Sequence, residues 1–117
     1  MSPHNFEVNR ILRDLGQIPD LVRAWRNETG VALSIDGKRK IRFGLKGSSD
    51  ILGILKGGRL LAIEVKTGRA VQSKQQKNFE KMINFMGGLY IIARENTDIK
   101  KIVVTEVQHA TTILPIN

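Results

Sequence analysis

Three charged residues, Asp50, Glu64 and Lys66, lie in a segment that otherwise consists mostly of apolar residues and glycine. Residues 47–69 read GSSDILGILKGGRLLAIEVKTGR. A charged side chain in a buried strand is unfavourable unless it is paired or bound to a metal ion. The segment therefore predicts a site in which two carboxylates and an amine act together.

The length of the turn between two predicted strands decides whether the two carboxylates meet. If the loop comprises residues 56–58, Asp50 lies opposite Glu64 on one face of the hairpin, with Cβ atoms about 5 Å apart. If the loop is only residues 57–58, Asp50 faces Val65 and points to the other side of the sheet. The sequence permits both arrangements, and we favour the first because it leaves no isolated charge in the core.

Two carboxylates at that separation repel each other unless a cation joins them. A hard divalent cation, Mg²⁺ or Mn²⁺, binds carboxylate and water oxygens, and the backbone carbonyl of Val65 is a further candidate ligand. Such an ion activates water, and Lys66 could orient that water or neutralise charge on a phosphate. The alternative is structural, with Glu64 and Lys66 on a solvent-exposed strand face and Asp50 in a turn.

The amino-acid composition is consistent with a metal ion bound by oxygen ligands and with a polyanionic binding partner. The 117 residues include no cysteine, and the only histidines, His4 and His109, stand at opposite ends of the chain. Nineteen basic against eleven acidic residues give a net charge of +8, which makes nucleic acid the expected partner. The length predicts a single domain, residues 1–117. The sequence opens without a signal peptide and has no apolar run of about 20 residues, so we expect a cytoplasmic protein without a membrane partner.

Hydrophobic periodicity predicts an α/β fold with helices packed on a sheet. A helix capped by Ser2 and ended by Gly16 comes first, and residues 21–27 form a strand or a second helix. Two strands surround a turn at residues 36–37, and two more follow at residues 51–55 and 60–66.

The second half of the chain is predicted to add two helices and a strand. Ser73 and Gln76 have capping-box spacing at the start of a helix that places Phe79 and Phe85 in the core. Residues 89–94 form a strand parallel to residues 60–66. The last segment is a helix capped by Thr97 or a strand, and its apolar residues 99–116 are a candidate dimer surface.

Basic residues form two candidate surfaces for DNA phosphates, with a solubility function as the alternative. The first follows the predicted hairpin and comprises Lys38, Arg39, Lys40, Arg42 and Lys46. The second surrounds the turn into the helix and comprises Arg69, Lys74 and Lys77. Aromatic residues are few, so the protein is expected to recognise DNA shape more than base sequence.

Several stretches together resemble the VRR-NUC domain of the PD-(D/E)XK nuclease superfamily. They are RNETG, GKRKIRFGLKGSSDILGIL, GGRLLAIEVKTGR, SKQQKNF and GGLYIIAR, and the resemblance as a whole runs from about residue 21 to residue 94. The resemblance implies a restriction-endonuclease-like core, a mixed β-sheet flanked by helices, and metal-dependent cleavage of DNA. It is closest in kind to the small stand-alone members of phages and bacteria, which look like Holliday-junction resolvases and dimerise.

The resemblance also assigns residues. It implies metal ligands at Asp50 and Glu64, a catalytic lysine at Lys66, a glutamine of the site at Gln76, and a supplementary acid at Glu7. Gln76 could hold a water or a phosphate, or could serve only the capping box, and Glu7 could lie on a solvent-exposed helix face. Residues 48–49 are serines where the superfamily name suggests proline.

The sequence thus predicts an Mg²⁺- or Mn²⁺-dependent, structure-specific DNA endonuclease similar to a Holliday-junction resolvase. It is expected to act on branched DNA, as a homodimer, in a bacterial or phage-infected cell. A flap or restriction-type nuclease with the same site is one alternative. A non-catalytic DNA-binding module is the other.

Overall fold

A computed structural model describes the backbone of residues 1–113 and the side chains of residues 1–110. In chain order the elements are α1 (Pro3–Leu15), β1 (Val22–Arg26), β2 (Gly30–Leu33), β3 (Lys40–Phe43), β4 (Ile51–Leu55), β5 (Leu60–Val65), α2 (Lys74–Phe85), β6 (Leu89–Ala93) and α3 (Ile99–Ile113). This is the mixed α/β architecture that the periodicity predicts. The segment 21–27, which the sequence left between strand and helix, contains strand β1.

Four strands form the central sheet, in the order β1-β4-β5-β6. The pairs β1–β4 and β4–β5 are antiparallel, whereas β5 and β6 run parallel and are connected through α2. Helices cover both faces of the sheet, so β5 is buried along nearly its whole length. A charged side chain on β5 is therefore held inside the protein rather than in water.

The alternation of side chains along β5 separates two hydrophobic cores. Leu61, Ile63 and Val65 point to the face covered by α1 and α3 and join the larger core. Ala62 points to the opposite face, where it packs with Phe79 and Ile83 of α2. Glu64 has the same parity as Ala62, so its carboxylate lies on the α2 side of the sheet.

The end of the described chain is helical, and its buried residues belong to the larger core. Ile99 and Val103 are fully buried, which explains much of the apolar character that suggested a dimer surface at residues 99–116. Residues 114–116 of that segment lie outside the described part of the chain. The predicted cap is wrong: Asp98, not Thr97, accepts the amide of Lys101, because the Thr97 hydroxyl accepts the amide of Arg94 instead.

One predicted core residue lies at the surface. Phe79 is buried, but Phe85 is 87% exposed. The two residues are six positions apart, so on a helix of 3.6 residues per turn they point about 120° apart, away from a common face. Only Phe79 faces the sheet.

Strands β2 and β3 form a separate two-stranded sheet, which we call the arm. Its register pairs Gly30 with Phe43 and Leu33 with Lys40 around the predicted turn at residues 36–37. Within the described chain the arm packs extensively on no other helix or strand, and all residues of β2 and β3 are exposed. None of the described helices is long and apolar enough to cross a membrane.

Candidate active site

The β4–β5 hairpin has the register that brings the two carboxylates together. Ile51 pairs with Ile63 and Ile54 with Leu60, so the next position outward places Asp50 opposite Glu64. The intervening loop is residues 56–58, closed by a hydrogen bond from the Gly58 amide to the Leu55 carbonyl. This is the first of the two arrangements considered from the sequence.

Asp50 is held at the end of the sheet by the neighbouring strand and by helix α1. Its Oδ2 atom accepts a 2.7 Å hydrogen bond from the backbone amide of Val65. The same oxygen lies 3.2 Å from Nε2 of His4 in the first turn of α1. The carboxylate is therefore fixed in position while remaining partly open to solvent.

Glu64 is the buried member of the pair, with only 3% of the residue exposed. Its Oε1 accepts a 2.9 Å hydrogen bond from Gln76 and lies 3.9 Å from the Lys66 ammonium. Its Oε2 is buried and has no hydrogen-bond partner. Burial in the first place, and repulsion from Asp50 in the second, raise the pKa of Glu64 to about 8, against a partial lowering by Lys66.

Gln76 connects the helix cap to the charged residues. Its Oε1 accepts the Ser73 amide at 2.8 Å, while Ser73 Oγ accepts the Gln76 amide, so the capping box forms as predicted. The same Oε1 accepts a 2.8 Å hydrogen bond from Lys66, and Nε2 donates to Glu64. The two interpretations of Gln76 are therefore not exclusive, because one side chain makes both sets of contacts.

A divalent cation fits this donor set. Two carboxylates converge, and one of them keeps a buried oxygen without a hydrogen-bond partner. Burial and the neighbouring Asp50 raise the pKa of that group, Glu64, and a cation between the two carboxylates would relieve their repulsion. Asp50 and Glu64 would hold the ion. Val65 lies between Glu64 and Lys66 in the chain, and its backbone amide donates a hydrogen bond to the Asp50 carboxylate. In the described part of the chain, no three His, Cys, Asp or Glu side chains are grouped to hold a metal. Mg²⁺ suits such a site because it keeps several waters beside one or two carboxylates.

Helix α1 contacts Asp50 through His4 rather than through Glu7, the supplementary acid that the family resemblance implies. Glu7 is buried, not on a solvent-exposed face, and its Oε2 lies 2.6 Å from Nε of Arg10. His4, one turn earlier, is the residue that touches Asp50. Residues three apart lie on one helix face, so this spacing was the available signal for His4.

The arm connects directly to the site. The Asn27 amide donates to the Asp50 carbonyl, and the Asn27 side chain donates to Ser48 and to the Ser49 carbonyl. Ser49 is buried, and its hydroxyl donates to the Ile51 carbonyl. Ser48 and Ser49 thus belong to the turn that positions Asp50, at the base of the arm, where its two strands connect to the central sheet.

Gly47 brings the base of the arm against the first turn of α2. A Cβ atom at Gly47 would lie 2.6–2.9 Å from Cβ, C and O of Gln75, the residue before Gln76. The φ angle of Gly47, +83°, is also one that L residues rarely adopt. The absence of a side chain at Gly47 thus permits the close approach between the arm and the helix that carries Gln76.

We expect Gly47→Ala to destabilise the protein more than Gly57→Ala. Both glycines have positive φ, but a Cβ atom at Gly57 would meet nothing within 4 Å, so only Gly47 adds a clash. The conformational cost of about 1–2 kcal/mol is shared, and overpacking adds about 1–3 kcal/mol at Gly47. Urea unfolding measures the difference, and equal losses in the two variants would contradict the close packing.

The predicted basic residues are all exposed, but they form two separate groups. Lys38, Arg39, Lys40, Arg42 and Lys46 lie on the arm and its return to β4, whereas Arg69, Lys74 and Lys77 lie around the start of α2. The second group stands near Gln76 in sequence, and its members Lys74 and Lys77 lie in the first turn of the same helix. Both groups are open to a large ligand.

A comparison with models of known protein families and with curated proteins gives no match for the chain.

Proposed function

We propose that the protein is a metal-dependent DNA endonuclease of the PD-(D/E)XK type, with a VRR-NUC-like domain. One observation carries the proposal: the buried Oε2 of Glu64, without a partner, next to the Asp50 carboxylate. A buried oxygen without a hydrogen-bond partner costs about 1–3 kcal/mol even though Gln76 and Lys66 approach the other oxygen of the same carboxyl group, so a purely structural function would favour its replacement. A site that takes up a cation explains why an acid is kept at this position.

The residues around this oxygen have distinct tasks in phosphodiester hydrolysis. A divalent ion held by Asp50 and Glu64 would supply a water of lowered pKa and positive charge for a phosphate oxygen. Gln76 fixes the side chains of Glu64 and Lys66 through one amide group. Lys66 then keeps its ammonium in place for the charge that develops on the phosphate, without reorganisation during the reaction.

The charge distribution supports DNA as the substrate. The chain carries a net charge of +8, and its exposed basic residues flank the site on the arm and on α2. A polyanion is attracted to such a surface through phosphate contacts that are independent of sequence. Branched DNA remains the proposed preference, and a twofold dimer would let two sites cut two strands symmetrically.

Removal of divalent metal is expected to stop cleavage without stopping DNA binding. End-labelled four-way junction, flap and linear duplex would be incubated with Mn²⁺, with Mg²⁺ or with EDTA, and products separated on denaturing gels. The proposal expects cuts only with metal, strongest on the junction, while fluorescence anisotropy in EDTA still reports binding through the basic surfaces.

The outcomes separate the alternatives. Preferential cutting of the flap or of linear duplex would assign the same site to a flap or restriction-type nuclease. Binding without cleavage in either metal would instead identify a non-catalytic DNA-binding module and overturn the enzymatic proposal. Sedimentation at micromolar concentration tests the homodimer independently, and a monomer would reject it.

A further inference from the structure

The arm is an exposed β-ribbon with two unlike faces. Directly paired residues share a face, so Val31 and Leu33 lie with Lys40 and Arg42 on one side. On the other side the ring of Phe43 covers Gly30, its cross-strand partner, where a Cβ atom would lie 3.2 Å from the ring. The first face therefore combines two aliphatic side chains with two cations.

The aliphatic residues on that face are unusual for a small exposed ribbon. Val31 is 50% exposed and Leu33 is 65% exposed; Ile41 and Phe43 on the opposite face are 47% and 44% exposed, but only the first face also carries Lys40 and Arg42. Two-stranded ribbons are marginally stable alone, so solvated polar side chains would be the ordinary choice at these positions. The combination indicates a surface that is covered when the protein acts.

Charge selects nucleic acid over a second copy as the occupant. Residues 30–46 contain five basic residues and one acidic residue, Asp36. Two such arms packed together would bring like charges into contact, at a cost of several kcal/mol. Duplex DNA supplies phosphates for the cations and apolar base edges, such as thymine methyl groups, for the aliphatic residues.

We propose that the face formed by Val31, Leu33, Lys40 and Arg42 enters the major groove of duplex DNA beside the cleavage site. This inference rests on the proposed function only for the position of the cut. The major groove, about 12 Å wide, admits a two-stranded ribbon without deformation, whereas the minor groove, about 6 Å wide, must first be widened at a cost in free energy. The substrate class is thereby narrowed to DNA that is double-stranded on one side of the scissile phosphate.

The anchoring of the arm sets the length of duplex required. Asn27 is bonded to the Asp50 carbonyl, and Ile35 at the tip is eight residues further along the chain. At about 3.3 Å per residue the tip lies within roughly 26 Å of the site. At about 3.4 Å per base pair this corresponds to some seven or eight base pairs.

Binding in EDTA tests the arm without any cleavage. Anisotropy would compare duplexes of 4, 8, 12 and 16 base pairs and a single strand, using the wild type, Val31→Ser/Leu33→Ser and a control, Phe85→Ser/Met86→Ser. Both control residues are exposed on the far end of α2. Affinity of the wild type is expected to rise steeply between 4 and 8 base pairs. The arm variant should lose about tenfold on the 12-mer and 16-mer, an amount that corresponds to 1.4 kcal/mol, and less than twofold on the single strand.

Dimethyl sulfate footprinting shows which groove is occupied. The reagent attacks guanine N7 in the major groove, so the wild type should protect guanines within about eight base pairs on one side of the site, and the arm variant should not. Unchanged duplex affinity or missing N7 protection would overturn the inference. The inference would also be overturned if sedimentation showed that the only effect of the arm variant is to convert a dimer to a monomer. Protection without cleavage in Mn²⁺ would leave the arm inference standing and reject the nuclease, whereas metal-dependent cleavage without protection would do the reverse.

Discussion

Glu64→Gln is expected to abolish cleavage and, in the same molecule, to stabilise the metal-free protein at alkaline pH. Glutamine matches glutamate in shape and can still accept the Gln76 amide through its carbonyl oxygen. It removes the buried negative charge that the fold leaves without a partner at Oε2. The variant therefore separates the requirement for folding from the requirement for catalysis.

The sign of the pH effect follows from the raised pKa of Glu64, which is about 8 in the folded protein against an ordinary value of 4.5. Between these values the folded state binds a proton that the unfolded state has released. The stability of the metal-free wild type should therefore fall as pH rises from 4.5 to 8 and level off above the folded pKa, by an amount on the order of 3 kcal/mol. Glu64→Gln carries no titrating group and should lack this loss.

Thermal unfolding in EDTA at pH 5 and pH 9 measures the effect, with the exposed Glu28→Gln as the matched control. Mn²⁺ at pH 9 should restore stability to the wild type and to Glu28→Gln but not to Glu64→Gln, because an ion bound only to the folded state stabilises it. Cleavage that persists in Glu64→Gln, or equal Mn²⁺ stabilisation of all three proteins, would contradict the metal site.

The convergence of Asp50 and Glu64 could be predicted only by adding a charge argument to the local geometry. The sequence permits a loop of two or of three residues, and a one-residue change in register would move Asp50 to the other face of the sheet, so the choice depended on avoiding an isolated charge in the core. Gln76 was predictable from the chain alone, since the capping box fixes its position in the first turn of α2. Both predictions used neighbours in the chain or across one hairpin.

The orientation of helices about their axes was harder to predict than the hairpin. His4 and Glu7 share one face of α1, and only the packing of that helix on the sheet decides that His4 touches Asp50 while Glu7 is buried against Arg10. The prediction that Phe85 lies in the core was wrong for a different reason: Phe85 lies six positions from Phe79, so the helical period itself points it about 120° away from the face that packs on the sheet. Helical periodicity is thus sufficient to place Phe85, whereas the contact made by His4 depends on tertiary packing.

Replacement of Lys66 by methionine is expected to reduce the cleavage rate by at least about a thousandfold while leaving DNA affinity within about threefold. The Lys66 side chain is 13% exposed, so an apolar side chain of similar length fits the site. Gln76 Oε1 keeps its hydrogen bond from the Ser73 amide, and no buried acceptor is orphaned. Folding is therefore expected to be preserved, and the loss of cleavage rate measures the contribution of the positive charge of Lys66.

The same variant should change the pH dependence of metal binding, because Lys66 lowers the pKa of Glu64. Without the ammonium that pKa moves above about 8, so Mn²⁺ must compete with a more tightly held proton, and its apparent affinity below pH 8 should weaken. Lys66→Arg keeps the charge and is the control: it should retain the Mn²⁺ affinity even if its larger head group slows cleavage. Calorimetric titration of Mn²⁺ at pH 7 and pH 9 distinguishes the two variants. If Lys66→Met binds Mn²⁺ like the wild type and still cleaves DNA, then Lys66 is a structural partner of Gln76 and catalysis needs another cation.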